Sequence, residues 1–283
     1  MIITSRDDIV EFNNDFILFQ IQRVCETVVR DFLTERLELL ERNRYAEGEI
    51  NDLTANLRTP LLINAFDSII RVDDRIKRNI SVGMFPRPTN KGQIFYNYLC
   101  CEMFKFRDNH QFDKNKYANC GLIFFKYVVP KLARNLTTGN MADISQFDAE
   151  FILGEFLLTF NERYVESNVF DDLKAVSRSM QSANLAEFIS REIGTEGQSV
   201  IDILMNNYSI LYAANRGNPF MRQRFRFEHP VLGEVLAALD IWNELAIQNT
   251  VIDFNVCESV MSKALPYEQK ELLSDFCAYK VGE

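Results

Sequence analysis

Arginine and phenylalanine alternate in one short stretch of the chain, and no acid lies between Arg216 and Arg226. Closely spaced arginines can hold the phosphates of a nucleic acid, and an exposed aromatic ring beside them can stack on an unpaired base. The same alternation is typical of a strand with one charged face and one apolar face. The stretch therefore predicts either a surface that binds a polyanion or an edge whose arginines pair with acids of the chain. Its members are Phe220, Arg222, Arg224, Phe225, Arg226 and Phe227.

A second, longer basic segment occupies the middle of the chain. Between Arg71 and Arg134 there are thirteen Lys or Arg and five acids, a net charge of +8. Residues 216–226 add +4, and since the whole chain carries −9, the rest of it carries −21. Aromatic residues are frequent in the middle segment, and this combination suits single-stranded nucleic acid because stacking requires an unpaired base. The predicted phosphate contacts are Arg75, Lys77, Arg78, Arg87, Lys91, Lys105, Arg107, Arg222, Arg224 and Arg226, and the stacking candidates are Phe85, Tyr96 and Phe225.

The acidic remainder of the chain supports a competing interpretation. Basic side chains of the middle segment can pair with acidic helices such as residues 34–49, and charges used in this way are not available to a ligand. Nucleic-acid-binding modules usually have a high isoelectric point, whereas this chain is acidic, although a basic patch still acts locally over about 8–10 Å. Internal pairing and nucleic-acid binding both stay open at this point.

Motifs that would indicate an enzyme are absent from the sequence. The two histidines, His110 and His229, lie in no HExxH, ExxH or His–Cys cluster, which disfavours a zinc or di-iron centre. There is no GxxxxGK[ST], GxGxxG or GxSxG motif, so P-loop, dinucleotide-binding and α/β-hydrolase folds have no support. The six cysteines form no CxxC pair and are interpreted as reduced, mostly buried thiols. We expect no cofactor, and an enzyme of unrecognised chemistry is kept as a second alternative.

Apolar residues recur at spacings of three and four along most of the chain, which is the period of an α-helix. The sequence therefore predicts an all-α fold of about ten helices. The low counts of Gly (11) and Pro (7) argue against an all-β fold. A long amphipathic helix is expected within residues 16–44 and is ended by AEGE at 46–49. Thr59-Pro60 and Ser145 are helix-start signals. Further helices are predicted at 60–76, 94–106, 114–135 with a bend at Pro130, 145–160, 168–180, 184–192, 198–213 and after Pro230.

The loop at residues 81–92 is the best candidate for a boundary between lobes, because it concentrates Gly and Pro. The predicted organisation is an N-terminal helical lobe at 1–80, a basic, aromatic-rich segment at 81–140 and a C-terminal helical lobe at 141–283, or one domain of the same helices. A basic groove between two lobes is similar in outline to the helical nucleoproteins of segmented negative-strand RNA viruses, although no sequence motif matches that family.

These patterns favour a non-enzymatic structural or binding protein. In its sharpest form it is a viral, nucleoprotein-like protein that holds single-stranded nucleic acid, such as RNA, in a basic, aromatic groove and self-assembles. The alternative is a protein–protein assembly factor, such as a capsid, tegument or adaptor component, in which the arginines around position 222 form an interface. A protein partner or a homo-oligomer is expected in either case. No membrane insertion is expected, because the longest apolar stretch is short and contains Lys126. The expected location is cytoplasmic or nuclear, in a reducing compartment.

Overall fold

The arrangement of the helices is given by a computed structural model, which describes residues 23–40, 45–71, 87–108, 123–138, 143–167, 169–181, 184–192, 211–213, 224–227, 230–248 and 272. Within these residues the fold is all-α, as predicted, with nine α-helices, two π-helical segments and one small sheet. In chain order the elements are α1 (Glu26–Leu40), α2 (Glu47–Asn56), α3 (Pro60–Arg71), α4 (Lys91–Asp108), π1 (Phe124–Val128), α5 (Val129–Thr138), β1 (Ile144–Ser145), α6 (Gln146–Phe160), π2 (Asn161–Val165), α7 (Asp171–Met180), α8 (Leu185–Glu192), β2 (Leu211–Ala213), β3 (Arg224–Phe227) and α9 (Pro230–Gln248).

Local sequence signals account for the starts of two helices. Ser145 is the N-cap of α6: its Oγ accepts the N–H of Asp148 at 3.2 Å, and its own N–H donates to Asp148 Oδ2 at 3.0 Å. This is a capping box with Asp in place of the more usual Glu. Pro60 begins α3, where its missing N–H would have no helical partner in any case. Both predicted starts are therefore confirmed.

Two predicted boundaries are wrong, and one predicted stop signal has a second role. The helix predicted within residues 16–44 does not include residues 23–25, which are not helical, and α1 begins at Glu26. The AEGE stretch does not simply end a helix but begins α2: the N–H of Ala46 donates to Glu49 Oε2 at 2.7 Å, and acids in a first turn suit the helix dipole. The described end of the helix predicted at 198–213 is strand β2, because residues 211–213 pair with β3.

Strand β3 lies at the centre of the sheet and accounts for the alternation of arginine and phenylalanine. It pairs antiparallel with β1 on one side and with β2 on the other. Successive side chains of a strand point to opposite faces of the sheet. Phe225 and Phe227 are accordingly buried, while Arg224 and Arg226 are exposed. The extended piece that the alternation predicts is confirmed.

The helix formed by π1 and α5 continues through Pro130, where the sequence predicts a bend or an interruption. Pro130 has no N–H, so the carbonyl of Lys126, four residues earlier, loses its helical partner. Asn243 of α9 donates its Nδ2 to that carbonyl at 2.8 Å. The preceding segment is closed by a bond from Val129 N–H to the carbonyl of Phe124, five residues back. The interruption is therefore a π-turn that α9 stabilises.

The core forms around α9, which is buried along most of its length and packs most extensively against α5. Beside it, the ring of Tyr127 from π1 meets those of Phe160, Tyr164 and Phe170 with centroids 5.3–5.9 Å apart, an edge-on arrangement that aromatic pairs favour. One core cluster draws residues from all three of the segments predicted as lobes and middle. The boundaries at residues 80 and 140 stay a prediction.

Candidate functional site

Of the ten cationic residues predicted to contact phosphate, four have side chains that the structure describes. Arg87 precedes α4 and forms an ion pair with Glu49 of α2, with 3.3 Å between Nη1 and Oε2. Lys91 is the first residue of α4, and the other two lie on β3. Lys105 and Arg107 lie on α4, but nothing is described of their side chains. Arg75, Lys77, Arg78 and Arg222, together with the stacking candidate Phe85, lie outside the described residues.

The two arginines of β3 converge on a single carboxylate. Arg224 Nη1 lies 2.6 Å from Asp143 Oδ1, and Arg226 Nη2 lies 3.3 Å from Asp143 Oδ2. The hydrogen bond from Arg224 is the largest of the effects that lower the pKa of Asp143. The charge of Asp148 also acts on Arg224. Phe225 is 1% exposed, so the predicted stacking role does not fit its burial in the core. Tyr96 is packed against the core and partly buried.

Several other basic residues of the middle segment also pair with acids inside the fold. Arg71 contacts Asp67 at 2.6 Å, and Lys126 forms an ion pair with the buried Asp172. Tyr127 donates its hydroxyl to the same carboxylate at 2.9 Å. For these residues, and for Arg87, the interpretation of internal charge pairing is confirmed.

The largest of these clusters joins α5 and π2 to α9. Asp240 is 1% exposed and accepts from Arg134 at 2.9 Å, with Lys131 3.7 Å away. Burial is the dominant effect at Asp240 and raises its pKa in spite of the two cations. Glu244, one turn on, lies 2.7 Å from Arg163. Burial opposes its ionisation, but the charge of Lys131 and the hydrogen bond from Arg163 outweigh that effect and lower its pKa. Ion pairs of this cluster therefore connect α5 and π2 to α9.

An exposed apolar stripe runs along the outer face of α6. Phe147, Phe151 and Leu158 are 67%, 64% and 81% exposed. Their spacings of four and seven residues place them, with Gly154, on one side of the helix. Taking about 200 Å² for each fully exposed side chain, the three present about 400 Å² of apolar surface, a size at which surface patches are often functional. The sequence did not indicate this stripe, because α6 has apolar residues on every side.

The stripe borders a groove of about 630 Å³ between α6 and α8. Two asparagines set the position of α8 there: Asn161 Oδ1 accepts the N–H of Ala186 at 3.1 Å, and Asn184 caps the helix by accepting the N–H of Glu187 at 3.0 Å. The groove is lined by Glu150, Phe151, Gly154, Glu155, Leu157, Leu158, Asn161, Asn184, Ala186, Glu187 and Ser190.

The groove is acidic and has room at its centre. Its described lining includes Glu150, Glu155 and Glu187 but no Lys or Arg. A Cβ built on Gly154 would meet no heavy atom within 4 Å, so the space above this glycine is open. The groove therefore combines apolar side chains, negative charge and unfilled volume.

Metal sites, reactive thiols and membrane-spanning helices each require a particular arrangement of residues, and the described residues bear on all three. No group of three His, Cys, Asp or Glu side chains is arranged there to hold a metal ion. Cys100 and Cys101 are buried, and burial raises the pKa of Cys100 to about 12, which keeps it as an unreactive thiol. None of the described helices is long and apolar enough to span a membrane.

Comparison of the chain with protein-family models, with curated proteins and with solved structures gives no match.

Proposed function

We propose that this protein is a non-enzymatic assembly or adaptor protein that binds a protein partner through the groove between α6 and α8. The observation that carries the proposal is the exposed stripe of Phe147, Phe151 and Leu158 beside that groove. Two large aromatic side chains on one helix face are costly to leave in water, and aromatic residues are enriched at the energetic centres of protein interfaces.

The size of the surface also supports a protein ligand. A specific interface buries about 800 Å² on each partner. The stripe supplies about half of that area as apolar surface, and the polar walls of the groove extend it, in the usual arrangement of an apolar centre with a polar rim. A small molecule would cover only part of so open a surface.

Site-specific photo-crosslinking tests this proposal. The photoreactive residue p-benzoylphenylalanine replaces Phe151 in one variant and Val28 in the other, since Val28 is also an exposed apolar residue but lies on α1. In an extract of cells that produce the protein, we expect a discrete adduct from position 151 that is absent from position 28. Leu158→Glu should abolish that adduct without unfolding the protein, because the side chain is exposed. Identical adducts at both positions, or an adduct that Leu158→Glu leaves unchanged, would overturn the proposal.

A second candidate function is the binding of single-stranded RNA on the charged face of β3, in the manner of a self-assembling nucleoprotein. It is supported by one observation: Arg224 and Arg226 share one carboxylate and each remains nearly half exposed. Such a site binds through phosphate contacts, so its affinity must fall steeply with salt.

Fluorescence anisotropy of a labelled RNA of about 20 nucleotides, a length that spans several binding sites of this kind, tests the second candidate. We expect binding at low salt that is lost in Arg224→Glu/Arg226→Glu and retained in Arg178→Glu, a change of the same kind at an exposed residue of α7. Binding that does not depend on salt, or that both variants weaken equally, would exclude a specific site on β3.

A further inference from the structure

We infer that the occupant of the groove between α6 and α8 is a basic amphipathic helix of a partner protein. This inference rests on the proposed function and specifies the chemistry of the partner. Three properties of the groove lead to it: its length along α6, the open space over Gly154 and the sign of its charge.

The shape of the groove fits a helix. The stripe extends from Phe147 to Leu158, eleven residues along α6, or about 16 Å at 1.5 Å per residue. A partner helix of about three turns has the same length and presents apolar anchors at the i, i+3, i+4 and i+7 positions that such grooves recognise. Gly154 lies near the middle of the stripe, and because no side chain covers it, an anchor of the partner can approach the backbone of α6 there.

The charge of the groove selects a basic partner. Glu150 and Glu155 stand on the α6 side and Glu187 on the α8 side, so the apolar centre is bordered by carboxylates on both walls. Lys or Arg residues that flank the apolar face of a helix would meet these carboxylates, whereas the phosphates of RNA or of anionic lipids would be repelled.

The same charge argues against a second copy bound face to face. A two-fold interface brings the same patch of each copy together. Each of the three glutamates would then lie among the glutamates of the other copy, and like charges across an interface disfavour association. A partner of opposite charge avoids this repulsion and fills the same apolar surface.

A displayed library of helical peptides tests the inference. Each peptide carries apolar residues at the four anchor positions, in varied combinations of Leu, Ile, Phe and Met, and either Lys or Glu at each flanking position. Selection uses the full-length protein, with counter-selection against Gly154→Leu. This variant fills the groove, and its side chain enters open space, so it should fold normally. The result we expect is enrichment of Lys-rich peptides that bind at least about tenfold more tightly than their Glu counterparts, given three exposed charge contacts.

Charge reversal provides the matched control. In Glu150→Lys/Glu155→Lys/Glu187→Lys the preference should reverse, so that Glu-rich peptides are enriched. Peptides that bind the groove without preference for Lys over Glu would overturn the inference while leaving the proposed function in place. If no recovered peptide binds the wild type more tightly than Gly154→Leu, both the inference and the proposed function are overturned. If light scattering shows that the wild type is a dimer and Gly154→Leu a monomer, the occupant of the groove is a second copy of the chain and the inference is overturned.

Discussion

Two helical glycines, one in the interior of α6 and one in the first turn of α9, allow the same substitution to be compared in opposite surroundings. Gly154 of α6 has open space where a Cβ would lie, whereas a Cβ on Gly233 of α9 would come within 2.7 Å of Cδ2 in the ring of Phe227. Gly154→Ala should therefore stabilise the protein and Gly233→Ala should destabilise it, although both replace glycine by the best helix-forming residue.

The magnitudes follow from the two surroundings. Gly154→Ala gains helix propensity of up to about 1 kcal/mol. Gly233→Ala gains at most the same amount, because it lies in the first turn of α9, and it also requires the buried ring of Phe227 to move by about 1 Å to reach an ordinary carbon–carbon contact of about 3.5–4.0 Å. Overpacking of this kind costs about 1–3 kcal/mol. Gly233→Ala is therefore expected to be about 0–3 kcal/mol less stable than the wild type.

Urea denaturation followed by far-UV circular dichroism measures both variants. Their free energies of unfolding should differ by about 1–4 kcal/mol, so thermal melts should separate them by about 2–8 °C, since 1 kcal/mol corresponds to about 2 °C in a chain of this size. A third and a fourth variant carry Phe227→Leu with and without Gly233→Ala. Leucine lacks the ring edge, so the penalty of Gly233→Ala should shrink in that background. The reasoning is refuted if Gly233→Ala stabilises as much as Gly154→Ala, or if its penalty is unchanged by Phe227→Leu.

Three further predictions concern other parts of the fold. Iodoacetamide at neutral pH should modify Cys25 before Cys100, because Cys25 is exposed with a lowered pKa and Cys100 is buried; equal rates by peptide mass spectrometry would contradict this. Because the pKa of Asp143 is lowered in the folded state, its ionised carboxylate stabilises the fold at pH values above the ordinary pKa of Asp, and this stabilisation is lost as the pH falls through the lowered pKa. Below about pH 4, Asp143→Asn should therefore lose less stability than the wild type. Acid titrations in which the two proteins lose stability in parallel would refute this prediction. Asp172→Ala should cost about 3–5 kcal/mol and Tyr127→Phe about 1–2 kcal/mol in urea denaturation, and the reverse order would show that the carboxylate is not the centre of the cluster.

The sequence predicted most where a signal was local. The capping residue Ser145 and the Thr59-Pro60 pair placed two helix starts correctly, because caps depend on a few adjacent residues. Strand β2 was missed because three residues are too few to show a period, and its extended conformation depends on pairing with β3. An interruption near Pro130 was predicted, but the side chain that stabilises the π-turn there comes from α9.

The candidate site was harder to predict than the fold. Charge counting along the chain identified the arginines of β3 correctly as a concentrated basic feature, but it could not show that Asp143, some eighty residues away, lies between them. The stripe on α6 was not identified because a helix with apolar residues on every side has no period that marks which face other helices will cover. Only the positions of the neighbouring helices decide that Leu158 is exposed while Leu157 is buried.

The π-turn in π1 makes the chain tolerant of a one-residue deletion at this point. A π-turn holds one residue more than the α-helical path would need, and one residue corresponds to a rotation of about 100° around a helix axis. Deletion of a single residue within Phe124–Val128 would let the turn relax to an α-helix and would keep α5 nearly in phase with the residues before it, so that Lys131 and Arg134 still face Asp240. The same deletion at Val129, where the helix is regular, would rotate the residues on either side against each other by about 100° and leave the Asp240 carboxylate buried without its cations.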